Sequence, residues 1–186
     1  MEFKTPEINE IKKPEPEGFK EIKPENGMNS EKAKEFWNDK FENSEDKTQK
    51  IECSNEHLAG KEHPKTGVTF EKKIINVDGE KKEVVVPIFK SEYDVKLPDD
   101  KLKASDKEQF EICNNDLRKE IETNKELRDK FDEEQLDQIM NGETPDGYTW
   151  HHDAEVGKMQ LVDTETHQKT GHTGGRKIWG GGTENR

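Results

Sequence analysis

The sequence contains only two cysteines in 186 residues, and only 26% of its residues are hydrophobic. Cys53 and Cys113 form no CxxC pair, which excludes a zinc ribbon and a disulfide framework, so we expect two free thiols. The chain also lacks any run of about eighteen apolar residues, the length that a membrane-spanning helix needs. Its first residues, MEFKTPEINE, lack the apolar stretch of a signal peptide. We therefore predict no membrane segment.

Positive charge is scarce as well. The chain has 43 acidic and 31 basic residues, and its net charge is −12. An acidic protein is a poor candidate for non-specific nucleic-acid binding, because attraction to phosphate depends on lysine and arginine. However, residues 150–186 contain five acidic and five basic residues and are neutral before their histidines are counted. A local nucleic-acid site is therefore compatible with the C-terminal segment.

The composition divides the chain into three segments. Residues 1–28 repeat a short proline-containing unit whose charges cannot build a core, so we expect a disordered linker there. A linker at this place suggests that another module precedes it. Residues 29–54 are predicted to hold a junction and a short amphipathic helix, capped by Ser30 and reaching Phe41. Residues 55–186 are predicted to form the main domain.

The middle of the chain carries signals for a β-hairpin and three helices. Two β-branched runs flank Asp78-Gly79, a strong hairpin signal, and Pro87 restricts the second strand to the edge or the end of a sheet. The helix signals are Ser105 or Asp106 as a first cap, Asn124 as a second, and Asn141-Gly142 as the end of a third. Apolar residues at helical spacing supply most of the available core: Phe110, Cys113, Leu117, Ile121, Leu127, Phe131, Leu136, Ile139 and Met140.

Residues 147–175 hold four of the six histidines. Strand-forming residues at 148–152 and 158–162 flank a five-residue loop that contains Gly157. A helix cap and a helix-ending glycine follow, namely Asp163 or Thr164 and Gly171. The order strand, loop, strand, helix predicts a compact ββα unit.

The histidine spacing divides the four imidazoles by role. Adjacent strand residues point to opposite faces, so His151 and His152 are expected to differ, one holding a metal ion while the other takes a proton. His167 falls on the predicted helix. His172 follows five residues later and has to lie beyond the helix end to meet His167, a turn that the preceding glycine favours. His57 and His63 are placed in a turn and a loop, outside any site.

These motifs resemble the WHH family of the HNH/endonuclease VII nuclease superfamily, which commonly forms the C-terminal toxin module of bacterial polymorphic toxins. The matching stretches are PDGYTWHH at 145–152, MQLV at 159–162, His167, GHTGG at 171–175 and IWGGG at 178–182. A weaker likeness extends upstream to about residue 55. The resemblance implies an α+β fold with a ββα-metal core at 147–175, preceded by a helical region and a hairpin. It implies that residues 55–186 are a nuclease domain.

The resemblance also implies roles by position. His151 and His167 are expected to bind one divalent metal ion, with His172 as a third ligand, and His152 to act as general base. The candidate ions are Mg²⁺, Mn²⁺, Ni²⁺ and Zn²⁺, and the sequence does not decide among them. No asparagine of the HNH pattern has a clear counterpart to orient the base, and Gln160 is the candidate for that task. Asp153 and Asp163 are near enough in sequence to be considered as further ligands.

Arg176 and Lys177 are candidate phosphate contacts, with ordinary surface charge as the alternative. The Trp150 and Trp179 side chains are expected in the core or scaffold. The resemblance further implies a DNA substrate, a cognate immunity protein and delivery to the cytoplasm of a competing bacterial cell as part of a larger toxin. We expect a monomer. The alternative is a protein-binding module in which the histidines hold a structural zinc ion.

Overall fold

The computed structural model describes residues 48–182. The predicted linker at 1–28 and the predicted helix at 30–41 lie outside these residues. The described part is an α+β fold with two three-stranded sheets and several short helices, which confirms the predicted fold class. Within it, no helix combines the length and the apolar character that crossing a bilayer requires.

The first sheet is built around the predicted hairpin. Strands β2 (Thr69–Val77) and β3 (Glu80–Ile88) pair antiparallel, and β1 (Gln49–Lys50) pairs in parallel with the other side of β3. Asp78 and Gly79 have φ angles of 53° and 83°, and two positive φ angles are what a type I′ turn requires. Pro87 is the last residue but one of β3, which confirms its predicted place at a strand end. Phe89 directly follows this strand.

The second sheet carries the ββα unit. Strand β5 (Tyr148–His152) turns through residues 153–157 into β6 (Lys158–Asp163), and the helix α4 (Thr164–Lys169) follows at once. All three elements are confirmed. The sheet is completed by β4 (Ser91–Lys96), which pairs antiparallel with β6 and which the sequence reading did not predict.

Three helices lie between β4 and β5 in the sequence, α1 (Asp106–Thr123), α2 (Lys125–Arg128) and α3 (Glu133–Met140). The predicted caps are present: the Ser105 side chain accepts a hydrogen bond from the N–H of Glu108, and that of Asn124 from Leu127. α2 is shorter than predicted. Phe131 lies beyond its end, although its side chain is buried in the core.

Helix α1 holds the second sheet in place. Its buried stripe runs through Gln109, Cys113, Leu117 and Ile121, four residues apart, and packs in one core with Trp150, Met159 and Leu161. The Trp150 indole N–H donates to Asn114 Oδ1 at 2.7 Å. Cys53 and Cys113 are both free, as predicted, and the structure shows that both are buried. The N-terminal end of the α1 stripe, at Gln109, therefore faces the end of β5.

Candidate metal centre and active site

Three histidines from separate elements meet in one group. His151 lies on β5, His167 on α4, and His172 in the turn after α4, and one nitrogen of each ring lies within 4.8 Å of the others. Within the group, His151 Nδ1 and His167 Nε2 lie 3.2 Å apart. Three imidazoles at this separation can hold one metal ion, since three protein ligands and an open position are typical of catalytic zinc sites. His57 and His63 lie outside the group, as predicted.

His172 is fixed by its own backbone and by the upstream part of the chain. Its Nδ1 lies 2.7 Å from the carbonyl oxygen of Thr170, and because a carbonyl only accepts, Nδ1 carries the proton and Nε2 is left as the ligand atom. The Asn55 side-chain amide donates to the carbonyl of Gly171 at 2.6 Å. The Ser54 N–H donates to Thr173 Oγ1 at 2.9 Å. Residues 54 and 55 therefore help to position a candidate ligand more than 110 residues later.

The three rings are held in the neutral state that a metal ion requires. Burial lowers the pKa of His151 well below its usual value, and the neighbouring His172 and His167 add to the effect. Burial, assisted by His172, lowers the pKa of His167 to about 4. Burial also lowers the pKa of His172, although the Thr170 carbonyl acts in the opposite direction. A metal ion arriving near pH 7 therefore does not compete with the second proton that a charged imidazolium would carry.

The lowered pKa values predict acid sensitivity of the metal-free protein. A histidine whose pKa is lower in the folded than in the unfolded chain binds fewer protons when folded, so stability rises with pH between the two pKa values. We therefore expect the free energy of unfolding to fall as pH drops from 7.5 to 5, because this range passes through the unfolded histidine pKa of about 6.5 and ends above the lowered pKa of His167, which is about 4. Urea denaturation of chelator-treated protein at the two pH values measures this.

The matched variant for this measurement is His167→Gln, which removes one of the buried imidazoles. Its unfolding free energy should depend less on pH over the same window. An unfolding midpoint of the wild type that is equal at pH 7.5 and pH 5 would contradict the prediction.

His152 lies on the other side of the strand end. Its neighbours are on α1 and on the C-terminal helix α5 (Gly175–Ile178): Nε2 is 2.7 Å from Gln109 Oε1 and 3.9 Å from Asp106 Oδ1, and the Trp179 ring lies 5.6 Å away. The two adjacent histidines therefore have different surroundings. Both nevertheless reach one cavity of about 350 Å³, whose walls include all four histidines of the segment and Arg176.

Phe89 packs against the metal-side histidines. Its ring centroid lies 4.8 Å from that of His151, 5.4 Å from that of His167 and 5.2 Å from that of His172. An aromatic ring there excludes water from one side of the group, which accounts for part of the burial that lowers the three pKa values.

Gln160 does not reach the candidate base. It pairs across the sheet with His151, so its side chain shares the face of His151 rather than that of His152. Its amide Nε2 donates instead to Asp94 Oδ1 at 3.2 Å. The residue found at His152 is Gln109, so the expectation that Gln160 orients the base is corrected.

The two basic residues of α5 have different surroundings. Arg176 is buried and lines the cavity, where its Nε lies 3.1 Å from Asp106 Oδ1 and its Nη1 donates to the carbonyl of Ala104 at 3.0 Å. Lys177 is exposed and is not among the cavity residues. The structure therefore brings Arg176 to the predicted site and leaves Lys177 outside it.

The carboxylates of Asp153 and Asp163, which lie near the histidines in sequence, both accept hydrogen bonds from backbone N–H groups. Asp153 accepts a hydrogen bond from the N–H of Glu155 at 2.8 Å in the hairpin loop, and Asp163 caps α4 by accepting from the N–H of Thr166 at 2.7 Å. Neither belongs to the histidine group. Trp150 and Trp179 are buried scaffold residues, as predicted, and the Trp179 indole donates to the carbonyl of Asp153 at 2.9 Å.

Gly175 is required where α5 crosses the end of β5. A Cβ at this position would overlap the carbonyl oxygen of Asp153 and the indole nitrogen of Trp179. We expect Gly175→Ala to lower the free energy of unfolding by about 1–3 kcal/mol, because backbone and a packed ring have to move. Chemical denaturation measures the change. Gly171→Ala is the control, since its Cβ would meet only the Asn55 side chain at 3.5 Å; an equal loss in both variants would contradict the prediction.

The sequence reading missed Gln109 and Asp106 as residues of the site. One signal was available for Gln109: it lies four residues before Cys113, so it continues the apolar stripe of α1, and a polar residue on a buried stripe needs a polar partner. No local signal pairs α1 with β5, because the two residues are 43 positions apart in the chain.

One of the comparisons with known proteins gave a family match. Residues 78–174, just over half of the chain, match the family described as the DNase/tRNase domain of colicin-like bacteriocin. The match includes α1, both strands of the ββα unit, α4 and His172. Neither the curated proteins nor the solved structures gave a match. The chain belongs to the family of DNase/tRNase domains of colicin-like bacteriocins, and it is a nuclease toxin module.

Proposed function

We propose that this protein is a metal-dependent endonuclease of the HNH type, within the WHH family, that hydrolyses phosphodiester bonds of DNA in competing bacterial cells. The observation that carries the proposal is the meeting of three buried, neutral imidazoles and a fourth histidine at one cavity. The family match to DNase/tRNase domains supports the substrate class.

The donor set fits a divalent ion. His151, His167 and His172 each offer a ring nitrogen within 4.8 Å of the others, and burial keeps the three rings in the neutral state. When bound, the ion supplies positive charge that neutralises a non-bridging phosphate oxygen and stabilises the leaving 3′ oxygen. Mg²⁺, Mn²⁺, Ni²⁺ and Zn²⁺ are the candidates, with imidazole ligands favouring the last two.

His152 supplies the base. Its side chain opens on the same cavity but contacts α1 and Trp179 rather than the other three imidazoles, so it is positioned to take a proton from the attacking water. Arg176, in the cavity wall, is the candidate contact for a substrate phosphate. We retain exposed Lys177 only as a contact for a more distant part of the DNA backbone.

A structural zinc site is the less favoured function. Such sites usually have four protein ligands and include cysteine, whereas the group found in the described residues offers three histidines, and Cys53 and Cys113 are buried in the apolar core. Chelation distinguishes the two functions. It should unfold a structural site but remove activity from a catalytic site whose fold persists.

The family supports delivery of the module into target cells as part of a larger toxin, and it supports a cognate immunity protein that protects the producing cell. A net charge of −12 favours an immunity protein with a basic contact surface. We propose that the module acts as a monomer. We further propose the organisation predicted from sequence, a linker at 1–28, a junction at 29–54 and the nuclease domain at 55–186.

Cleavage of supercoiled plasmid tests the proposed function. Purified protein is incubated with plasmid DNA or with tRNA in the presence of Mg²⁺, Mn²⁺, Ni²⁺ or Zn²⁺, next to the His152→Ala variant. We expect nicked or linear plasmid with the wild type and none with the variant. The proposal fails if the wild type is inert with all four ions and behaves as the variant does, and cleavage of tRNA alone would reject DNA as the substrate.

A further inference from the structure

Helix α1 contributes a buried amide to the surroundings of the candidate base. The Gln109 side chain is fully buried, and its Oε1 lies 2.7 Å from His152 Nε2. It belongs to neither the histidine segment nor the motifs that suggested a nuclease.

Hydrogen bonds at both its nitrogen and its oxygen fix the orientation of the Gln109 side-chain amide. Its nitrogen donates to the carbonyl of Lys101 at 2.8 Å and to that of Leu102 at 3.0 Å, and only an amide nitrogen can make these two bonds. At the other end, Arg176 Nη1 donates to Oε1 at 3.2 Å. The atom that faces His152 is therefore the carbonyl oxygen, and the flipped amide would lose three hydrogen bonds.

A carbonyl oxygen accepts and does not donate, so the 2.7 Å contact requires a proton on His152 Nε2. In a neutral imidazole, the other nitrogen, Nδ1, then carries the lone pair. We propose that Gln109 is a positioning residue that holds His152 in the Nε2–H tautomer and thereby makes Nδ1 the atom that accepts the proton from water. This inference rests on the proposed role of His152 as general base.

Arg176 is part of the same hydrogen-bond network as Gln109 and His152. Its Nη1 donates to both Gln109 Oε1 and the carbonyl of Ala104, while its Nε lies 3.1 Å from Asp106 Oδ1. The guanidinium group thus ties α5 to the first turn of α1. It holds the amide oxygen in place, while the two bonds that the amide nitrogen donates polarise the group and make the oxygen a better acceptor for His152.

The test is nitrogen NMR of the histidine side chains in ¹⁵N-labelled full-length protein at pH 8 with Zn²⁺ present. The His152 signals are identified by their loss in His152→Ala. In the wild type we expect a protonated Nε2 and an unprotonated Nδ1. In Gln109→Met, which keeps the length of the side chain but removes the acceptor, we expect signals that average over the two tautomers.

The kcat and KM of DNA cleavage are measured on the same proteins as the spectrum. With the ion that supports cleavage, Gln109→Met should lower kcat by about 10–100-fold, as loss of an orienting partner does, with KM changed by less than about twofold. Asn114→Leu is the matched control, because it deletes another buried amide from α1 that bonds Trp150 and Thr144 instead of His152. It should lower Tm and leave the His152 signals as in the wild type.

Several results would overturn the inference. A wild-type spectrum that shows a protonated His152 Nδ1 would overturn it by itself. The inference can therefore be tested even if Gln109→Met does not fold. The inference would also be overturned if His152 has the same tautomer in Gln109→Met as in the wild type, or if the kcat of this variant is unchanged. Absence of cleavage by the wild type instead rejects the proposed function, and the spectrum still decides whether Gln109 sets the tautomer.

Discussion

Replacing His152 with alanine is expected to lower the rate of DNA cleavage by about 10²–10⁴-fold, the contribution typical of a general base. Its imidazole opens on the cavity beside the metal-binding group but takes no part in that group. The loss should therefore appear in kcat, with metal affinity retained. Single-turnover cleavage at saturating metal measures the rate, and calorimetric titration measures the affinity.

A histidine outside the site provides the control for this variant. His57 is exposed in a short turn and belongs to no part of the cavity, so His57→Ala should cleave at the wild-type rate. Cleavage by His152→Ala within about threefold of the wild type, well under the effect of a lost base, would show that another group takes the proton.

Removing one imidazole of the metal group should have an effect of similar size through a different cause. We expect His167→Ala to weaken metal binding by more than the 10–100-fold that follows from loss of a supporting residue, because a direct ligand is lost. Cleavage should fall with it and recover in part at high metal concentration. Titration of the metal-free protein, followed by calorimetry and by activity, gives both values.

Gln168→Ala is the matched control for His167→Ala. It changes the next residue of α4, whose side chain is exposed, and so reports any effect on the helix itself. Its metal affinity and activity should equal those of the wild type. If His167→Ala keeps full metal affinity, the assignment of this histidine as a ligand is wrong.

Local signals in the sequence were sufficient for most of the described elements. Asp78-Gly79 predicted the hairpin because two positive φ angles are easily adopted there, and Ser105 and Asn124 predicted helix starts because their side chains accept from backbone N–H groups. The ββα unit followed from strand-forming residues and a cap at Asp163. Each of these signals lies within a few residues of its effect.

The strand and the site contact that could not be predicted from the sequence depend on residues that are far apart in the chain. Strand β4 pairs with β6 although more than sixty residues separate them in the chain. The sequence of β4 does not indicate which strand it pairs with. The same holds for the base: Gln160 is near His152 in sequence but faces away, while Gln109 reaches it from α1. A one-residue shift along a strand reverses the face, and tertiary packing decides which helix covers it.

The metal position is the most direct measurement of the central claim, that one ion is held by three imidazoles beside His152. Crystals of the full chain soaked in Zn²⁺ or Mn²⁺ give anomalous difference density at the metal edge. We expect one peak bound by His151, by His167 and by Nε2 of His172, with the His152 ring outside the coordination sphere. A peak bound by His152, or no peak among these rings at saturating metal, would contradict it.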